Sequence, residues 1–227
     1  MSNKTINWYP LVIVVLIIAL VATFAALVME KSGPKKIARE NAIAQGSSAV
    51  SGQQFQWKMV TSWPKNTPGL GVNAENVARV INEMSGGRLQ IHVYGANELV
   101  PAMGVFDAVS SGSVEMGHSG SYFWRGKVPA AQFFTSVPFG MNAQELHGWI
   151  NHGGGLELWR ELYAPFNLIP FPVGNTGVQM AGWFNREINS VEDLRGLKMR
   201  IPGLAGEVFN LAGGTSVNIP GGELYTA

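Results

Sequence analysis

The residue whose type and position point most directly to chemistry is Arg200. It is the last charged residue of a stretch, 197–201, in which apolar and charged residues alternate, and a Pro-Gly pair follows. The pattern predicts a strand with Arg200 near its carboxyl end, where ligands of open α/β sheets bind. A planar guanidinium there can hold a carboxylate through two parallel hydrogen bonds. The sequence therefore predicts a carboxylate site at Arg200. The alternative is a surface arginine that pairs with Glu192 or Asp193.

A second candidate, Gln179, is a polar residue within an apolar stretch, 178–184, that predicts another strand. Its amide oxygen can accept from a cation, and its N–H groups can donate to a ligand oxygen. The alternative is a single polar residue on a half-exposed strand.

Aromatic residues in loops after predicted strands could form the opposite wall of a ligand cleft. Tyr122 could donate its hydroxyl to a ligand oxygen while Trp63 covers the ligand, and Phe123 lies beside Tyr122. For Trp63 and Phe123, ordinary core packing is the alternative. Asn218, in the last predicted strand, is a further candidate for the site.

Several kinds of chemistry are excluded or unsupported. The chain has no cysteine, which excludes disulfides and thiolate sites. His147 and His152 lack zinc-site spacing, and no nucleophile or base is evident near Arg200. From Gln53 onward, the sequence contains 11 Lys and Arg and 13 Asp and Glu, a net charge of about −2. There is thus no electrostatic reason to expect nucleic acid binding. We therefore predict a binding protein that is not an enzyme.

The elements that must position these residues follow from hydrophobic periodicity and from Gly and Pro breaks. Strands alternating with helices over residues 53–173 predict a parallel, doubly wound α/β region, and a similar region begins at 174. The strands are predicted at 55–61, 89–94, 114–118, 168–173, 178–184, 197–201 and 216–219. The helices are predicted at 71–84, 103–110, 143–151, 156–163, 190–195 and 205–212, with another starting at Gly222.

The N-terminal segment is uncharged and almost continuously apolar over residues 8–29. As a helix it would reach about 33 Å, enough to cross a bilayer core. This predicts an uncleaved membrane anchor, with 1–7 in the cytoplasm and 30–52 as a flexible tether. A cleaved signal peptide is the alternative. More basic residues follow the apolar stretch than precede it, which by itself favours a cytoplasmic position for the remainder of the chain.

From Phe55 onward, the sequence resembles the solute receptors of tripartite ATP-independent periplasmic (TRAP) transporters, the DctP-like family, and in particular their 2-oxo-acid-binding branch. Three stretches carry the resemblance: Leu-Arg-Gly-Leu-Lys-Met-Arg-Ile-Pro-Gly at 194–203, Gly-Val-Gln-Met-Ala-Gly-Trp-Phe at 177–184, and Gly-Gly-Glu-Leu-Tyr-Thr-Ala at 221–227. The resemblance implies a two-lobed periplasmic-binding-protein-like (Venus flytrap) fold, with the first lobe at 53–173 and the start of the second lobe at 174–227.

The resemblance also implies function. A receptor of this kind sits on the periplasmic side of the inner membrane and binds a small organic acid, here a 2-oxo monocarboxylate. It delivers the acid to TRAP permease subunits for ion-gradient-driven uptake. Arg200 would hold the carboxylate, Gln179 would contact both substrate and a sodium ion, and no other cofactor is expected. Relative to the family, the second lobe is incomplete, and the full-length receptor could form a homodimer. The alternatives are a membrane-anchored ligand sensor and an α/β enzyme acting on a carboxylate.

Overall fold

The computed structural model describes residues 52–227 together with Thr23. The predicted cytoplasmic N-terminus, anchor and tether therefore lie outside the described residues, apart from Thr23 and the last residue of the tether. Among the described residues, no helix is both long enough and apolar enough to cross a membrane. Residues 53–227 belong to one folded unit, and we call 53–173 its first region and 174–227 its second region.

Three parallel strands form the sheet of the first region. The central strand is β1 (Phe55–Thr61), with β2 (Leu89–Tyr94) on one side and β3 (Met116–His118) on the other. Parallel neighbours need crossover connections, and the helices α1 (Leu70–Met84) and α2 (Val105–Ser110) lie in those connections. The predicted order of strand, helix, strand, helix and strand is confirmed.

The third strand is shorter than the predicted stretch, 114–118. Its pairing with β1 begins where Met59 faces Met116. One residue earlier on β1, the backbone N–H of Lys58 donates to Oε2 of Glu115 at 2.8 Å. A side chain therefore satisfies a donor that a longer strand would have bonded through its backbone.

Two helices follow, α3 (Ala143–His152) and α4 (Gly155–Tyr163), each within one residue of its predicted bounds. The first begins with a capping box, in which the Asn142 side chain accepts from backbone N–H groups while Glu145 accepts from the Asn142 N–H.

The core of the first region is aromatic. The ring centroid of Phe106 lies 5.3 Å from that of Trp124, 5.3 Å from that of Phe166 and 6.0 Å from that of Tyr163. Val60 of the central strand, which has no exposed surface, belongs to the same cluster. This packing fixes the end of β1 and the segment that follows β3.

That segment contains two 3₁₀ turns, Ser121–Trp124 and Pro129–Phe134. The sequence analysis predicts neither of them as an element. A 3₁₀ turn is too short to show a hydrophobic period, which is why pattern reasoning misses it.

The second region contains one parallel strand pair, β4 (Lys198–Arg200) and β5 (Thr215–Val217), connected through α5 (Gly203–Leu211). All three are predicted, with the strands one or two residues longer. The predicted helix at 190–195 is a 3₁₀ turn, Val191–Leu194, and it begins with a capping box between Ser190 and Asp193.

Three predictions in this part of the chain are wrong. Residues 168–173 and 178–184 are not strands, and the helix predicted from Gly222 is a short 3₁₀ turn followed by a bend in the chain. A strand needs a neighbour for its backbone hydrogen bonds. Within the described residues these two stretches pair with no strand, two prolines reduce the donors of the first, and Trp183 in the second is 91% exposed.

Candidate functional site

A cleft of about 440 Å³ separates the 121–124 turn of the first region from the β4–α5–β5 unit of the second. Three of the predicted site residues, Tyr122, Phe123 and Asn218, line it. Its other polar side chains come from Arg125, Asn210 and Ser216. The structure therefore brings part of the predicted site together at the boundary between the two regions.

Tyr122 stands at a close approach between the two regions. Its ring packs against Phe123 at a centroid distance of 4.5 Å. A Cβ placed on Gly203 would lie only 3.0 Å from the Cβ of Tyr122, so a glycine is needed at this approach. Burial raises the pKa of the Tyr122 hydroxyl above its usual value, and the nearby positive charge of Arg200 opposes that rise. The phenol is thus a neutral hydrogen-bond donor at neutral pH.

Arg200 lies at the carboxyl end of β4, as predicted, and is partly buried. Its Nε donates to the carbonyl of Ile219 at 3.0 Å. The Asp193 carboxylate accepts instead from the backbone N–H groups of Asn189 and Ser190, which lowers its pKa. Among the described residues, the alternative in which Arg200 forms an ion pair with Glu192 or Asp193 is not found. The terminal N–H groups of the guanidinium can therefore donate to a ligand.

Strand alternation divides the predicted residues of the second region between two faces. Arg200 faces Val217 in the ladder, while Met199 faces Ser216. Ser216 and Asn218 line the cleft, so Arg200 projects from the opposite face of the strand pair. Tyr122 is related to the residues of both faces. It lines the cleft, and the positive charge of Arg200 opposes the rise that burial causes in the pKa of its hydroxyl.

Gln179 is the remaining predicted site residue of the second region. It is exposed, and its Nε2 donates to Oγ1 of Thr176 at 2.6 Å within the irregular segment that opens the second region. That geometry leaves Oε1 of Gln179 available as an acceptor. The structure does not place Gln179 among the residues that line the cleft.

Trp63 is only 7% exposed, and its ring contacts the rings of His118 and Phe123 at centroid distances of 5.2 and 6.3 Å. His118 is itself half-buried, and its Nε2 lies 3.1 Å from the carbonyl of Leu70. Burial lowers the pKa of His118, and the bond to Leu70 opposes that shift. Trp63 is therefore buried against His118 and Phe123, and it is not among the residues that line the cleft.

Arg125 is a cleft residue that the sequence analysis misses. It comes directly after the 121–124 turn, and its Nη1 donates to the carbonyl of Gly203 at 3.2 Å. The same nitrogen lies 3.4 Å from Oε2 of Glu207. Nothing in its sequence neighbourhood distinguishes it from a surface arginine, because both partners lie about 80 residues further along the chain.

Metal binding by carboxylates and histidines has no support in the part of the chain that the structure describes. No group of three or more such side chains is arranged to hold an ion there. Sodium is bound in proteins by carbonyl-type oxygens, and Gln179 Oε1 is one such oxygen.

Comparisons with known proteins agree with the fold. A monocarboxylate 2-oxoacid-binding periplasmic protein from Nostoc sp. is 53% identical over 172 residues, which are 76% of this chain and 47% of that protein. The chain thus spans about half the length of the curated relative that it matches.

Solved structures of TRAP periplasmic solute-binding proteins are also similar to this chain. A TRAP periplasmic solute-binding protein from Pseudoalteromonas atlantica, with bound sodium and pyruvate, is 51% identical with a TM-score of 0.75, over 77% of this chain and 53% of that one. Its counterpart from Colwellia psychrerythraea, with bound calcium and pyruvate, is 52% identical with a TM-score of 0.74 over the same shares. Over the part that it covers, the chain has the fold of these two-lobed receptors.

The family described as bacterial extracellular solute-binding protein, family 7, matches residues 59–227, most of the chain. Together with the Nostoc relative, this match shows that the chain belongs to the DctP family of TRAP solute-binding proteins.

Proposed function

We propose that this chain is part of an extracytoplasmic receptor that binds a small organic acid, a 2-oxo monocarboxylate, for a TRAP permease. The observation that carries the proposal is the position of Arg200 at the carboxyl end of β4, where its Nε is fixed by the carbonyl of Ile219 and its charge reaches the Tyr122 hydroxyl of the first region. A guanidinium with free terminal N–H groups and a neutral phenol are both donors, and a carboxylate with an adjacent keto oxygen presents only acceptors. The similar proteins that hold pyruvate support this choice of ligand.

Sodium is part of the proposal. Two similar structures hold a metal ion together with pyruvate, and Gln179 carries a free amide oxygen. For Gln179 to act there, the irregular segment that carries it must approach the bound acid. The acid's own oxygens would then complete part of the coordination.

The remaining parts of the proposal concern location and partners. Residues 8–29 would act as an uncleaved anchor or as an export signal, with 1–7 in the cytoplasm and 30–52 as a tether. Residues 53–173 would be the first lobe and 174–227 the start of the second lobe. The full receptor would meet its permease subunits at the membrane, and it could form a homodimer.

The test is ligand binding to the full chain in detergent, measured by calorimetry with pyruvate and other mono- and dicarboxylates, in sodium and in potassium. We expect Arg200→Ala to weaken binding about ten- to hundredfold, because a charge-assisted hydrogen bond contributes about 1.5–3 kcal/mol. Arg88→Ala is the matched control, since the Nε of Arg88 also donates to a backbone carbonyl, that of Ser85, away from the cleft.

Three results would each contradict part of the proposal. Undiminished binding by Arg200→Ala would refute the assignment of Arg200. If the unmodified chain bound no acid at all, the sensor alternative would replace the receptor. A sodium-independent affinity would remove the role of Gln179 with the ion.

A further inference from the structure

Arg125 connects the two regions through a side chain that neither the sequence motifs nor the proposed ligand contacts include. It lies in the first region, and both of its partners, Gly203 and Glu207, lie in α5 of the second. We call these two interactions of Arg125 the cross-region contact.

One partner of the cross-region contact is a left-handed backbone position that favours glycine. Gly203, where α5 begins, has a φ of +66°, and a Cβ there would lie 3.0 Å from the Cβ of Tyr122. Arg125 therefore holds the carbonyl of the residue that touches Tyr122. Gly203 also follows Arg200 by three residues, so the contact connects the segments that carry both proposed ligand donors.

We propose that Arg125 is a positioning residue that holds the start of α5 against the Tyr122 turn and so fixes the separation between Tyr122 and Arg200. Both interactions are made by Nη1 of Arg125 with residues of α5. Arg125 therefore acts by holding the two regions in place. Only the ligand arm of the test below rests on the proposed function.

The burial of the contact limits its expected strength. The side chains of Arg125 and Glu207 are 41% and 56% exposed, so solvent and salt screen the charge pair. The carbonyl of Gly203 adds a second, charge-assisted acceptor. We expect loss of the whole contact to raise the ligand dissociation rate about three- to tenfold, with the association rate changed less than about twofold.

The direct test measures the distance between the two regions without ligand. Because the chain has no cysteine, spin labels at Asn76→Cys in α1 and Leu211→Cys in α5, both exposed, report that distance in the full chain. We expect Arg125→Gln to lengthen and broaden the distance distribution, and about 1 M salt to do so partially. Glu207→Gln should have a smaller effect, since the carbonyl of Gly203 remains.

Arg79→Gln is the matched control. Arg79 donates to Glu83 at 2.9 Å, with side chains 58% and 61% exposed, but both residues lie within α1. The spin-label distance distribution of Arg79→Gln should superimpose on that of the unmodified chain. A distribution for Arg125→Gln that also superimposes would overturn the inference. If Arg125→Gln separates the regions but no variant binds any acid, the positioning role stands and the proposed function fails.

Discussion

The two regions contain the same local unit, two parallel strands connected through a helix, but they bury very different amounts of apolar surface. In the first region, Phe106 is 5% exposed and Val60 has no exposed surface. In the second, Phe209 is the one buried hydrophobic side chain among the described residues, while Val178 and Trp183 are 87% and 91% exposed.

The difference shows that a local pattern specifies an element, whereas burial depends on how many layers cover it. The sheet of the first region has three strands, and aromatic side chains from α2, α4 and the 121–124 turn pack together beside it. The sheet of the second region has two strands and one helix between them. Two strands with one helix bury little apolar area, so we expect most of the stability of this unit to come from the first region.

The largest effect should come from truncating the core of the first region. We expect Phe106→Ala to lower the free energy of unfolding by about 3–5 kcal/mol, because it leaves a cavity among three aromatic rings. Urea denaturation measures this change in the free energy of unfolding. Trp183→Ala, a larger truncation in the second region, should cost about 0.5 kcal/mol or less because the indole is exposed. Equal losses would show that the second region is packed like the first.

A smaller effect on stability is expected from alanine substitutions at two glycines. Comparing the two distinguishes backbone strain from contact between the regions. Gly196 and Gly203 have φ values of +72° and +66°, so alanine should cost roughly 1–2 kcal/mol at either position. Only at Gly203 does the added Cβ meet another residue, Tyr122. We expect Gly203→Ala to be the more destabilising by roughly 1–3 kcal/mol, from overpacking. Identical unfolding midpoints for the two variants would mean that Tyr122 and α5 are not in contact.

The smallest effect is a pH dependence that differs between the regions. Burial lowers the pKa of His118 below 6.5, and the N–H groups of Asn189 and Ser190 lower that of Asp193 below 3.8. In each case the unfolded chain binds the proton first as pH falls. The stabilisation is therefore complete above the unfolded pKa and is lost as pH falls through the folded pKa.

The measurement is the urea midpoint between pH 7.5 and pH 3. His118→Gln should remove the decline that begins near pH 6.5, whereas Asp193→Asn should flatten the curve only below about pH 4. His147→Gln, at an exposed position in α3, is the control for histidine loss. If His118→Gln kept the full decline near pH 6.5, another group would be responsible for it.

Sequence reasoning identified the family and most elements because their signals are local. Family membership confirms the prediction of a solute-binding protein that is not an enzyme. The strand predicted from the alternation that ends at Arg200 appears in the structure as β4. The predicted strands at 168–173 and 178–184 failed because their apolar residues resemble a strand whether or not a neighbour is available to pair with them.

The sequence by itself therefore determined the α/β class, the alternation of parallel strands with helices in the first region, and an arginine at a strand end. Each of these follows from a period or a chain break within about ten residues. Only the tertiary structure decided that the charge of Arg200 reaches the hydroxyl of Tyr122, and that Arg125 reaches Gly203 and Glu207. Those contacts join residues about 80 positions apart, and no local pattern encodes such a separation.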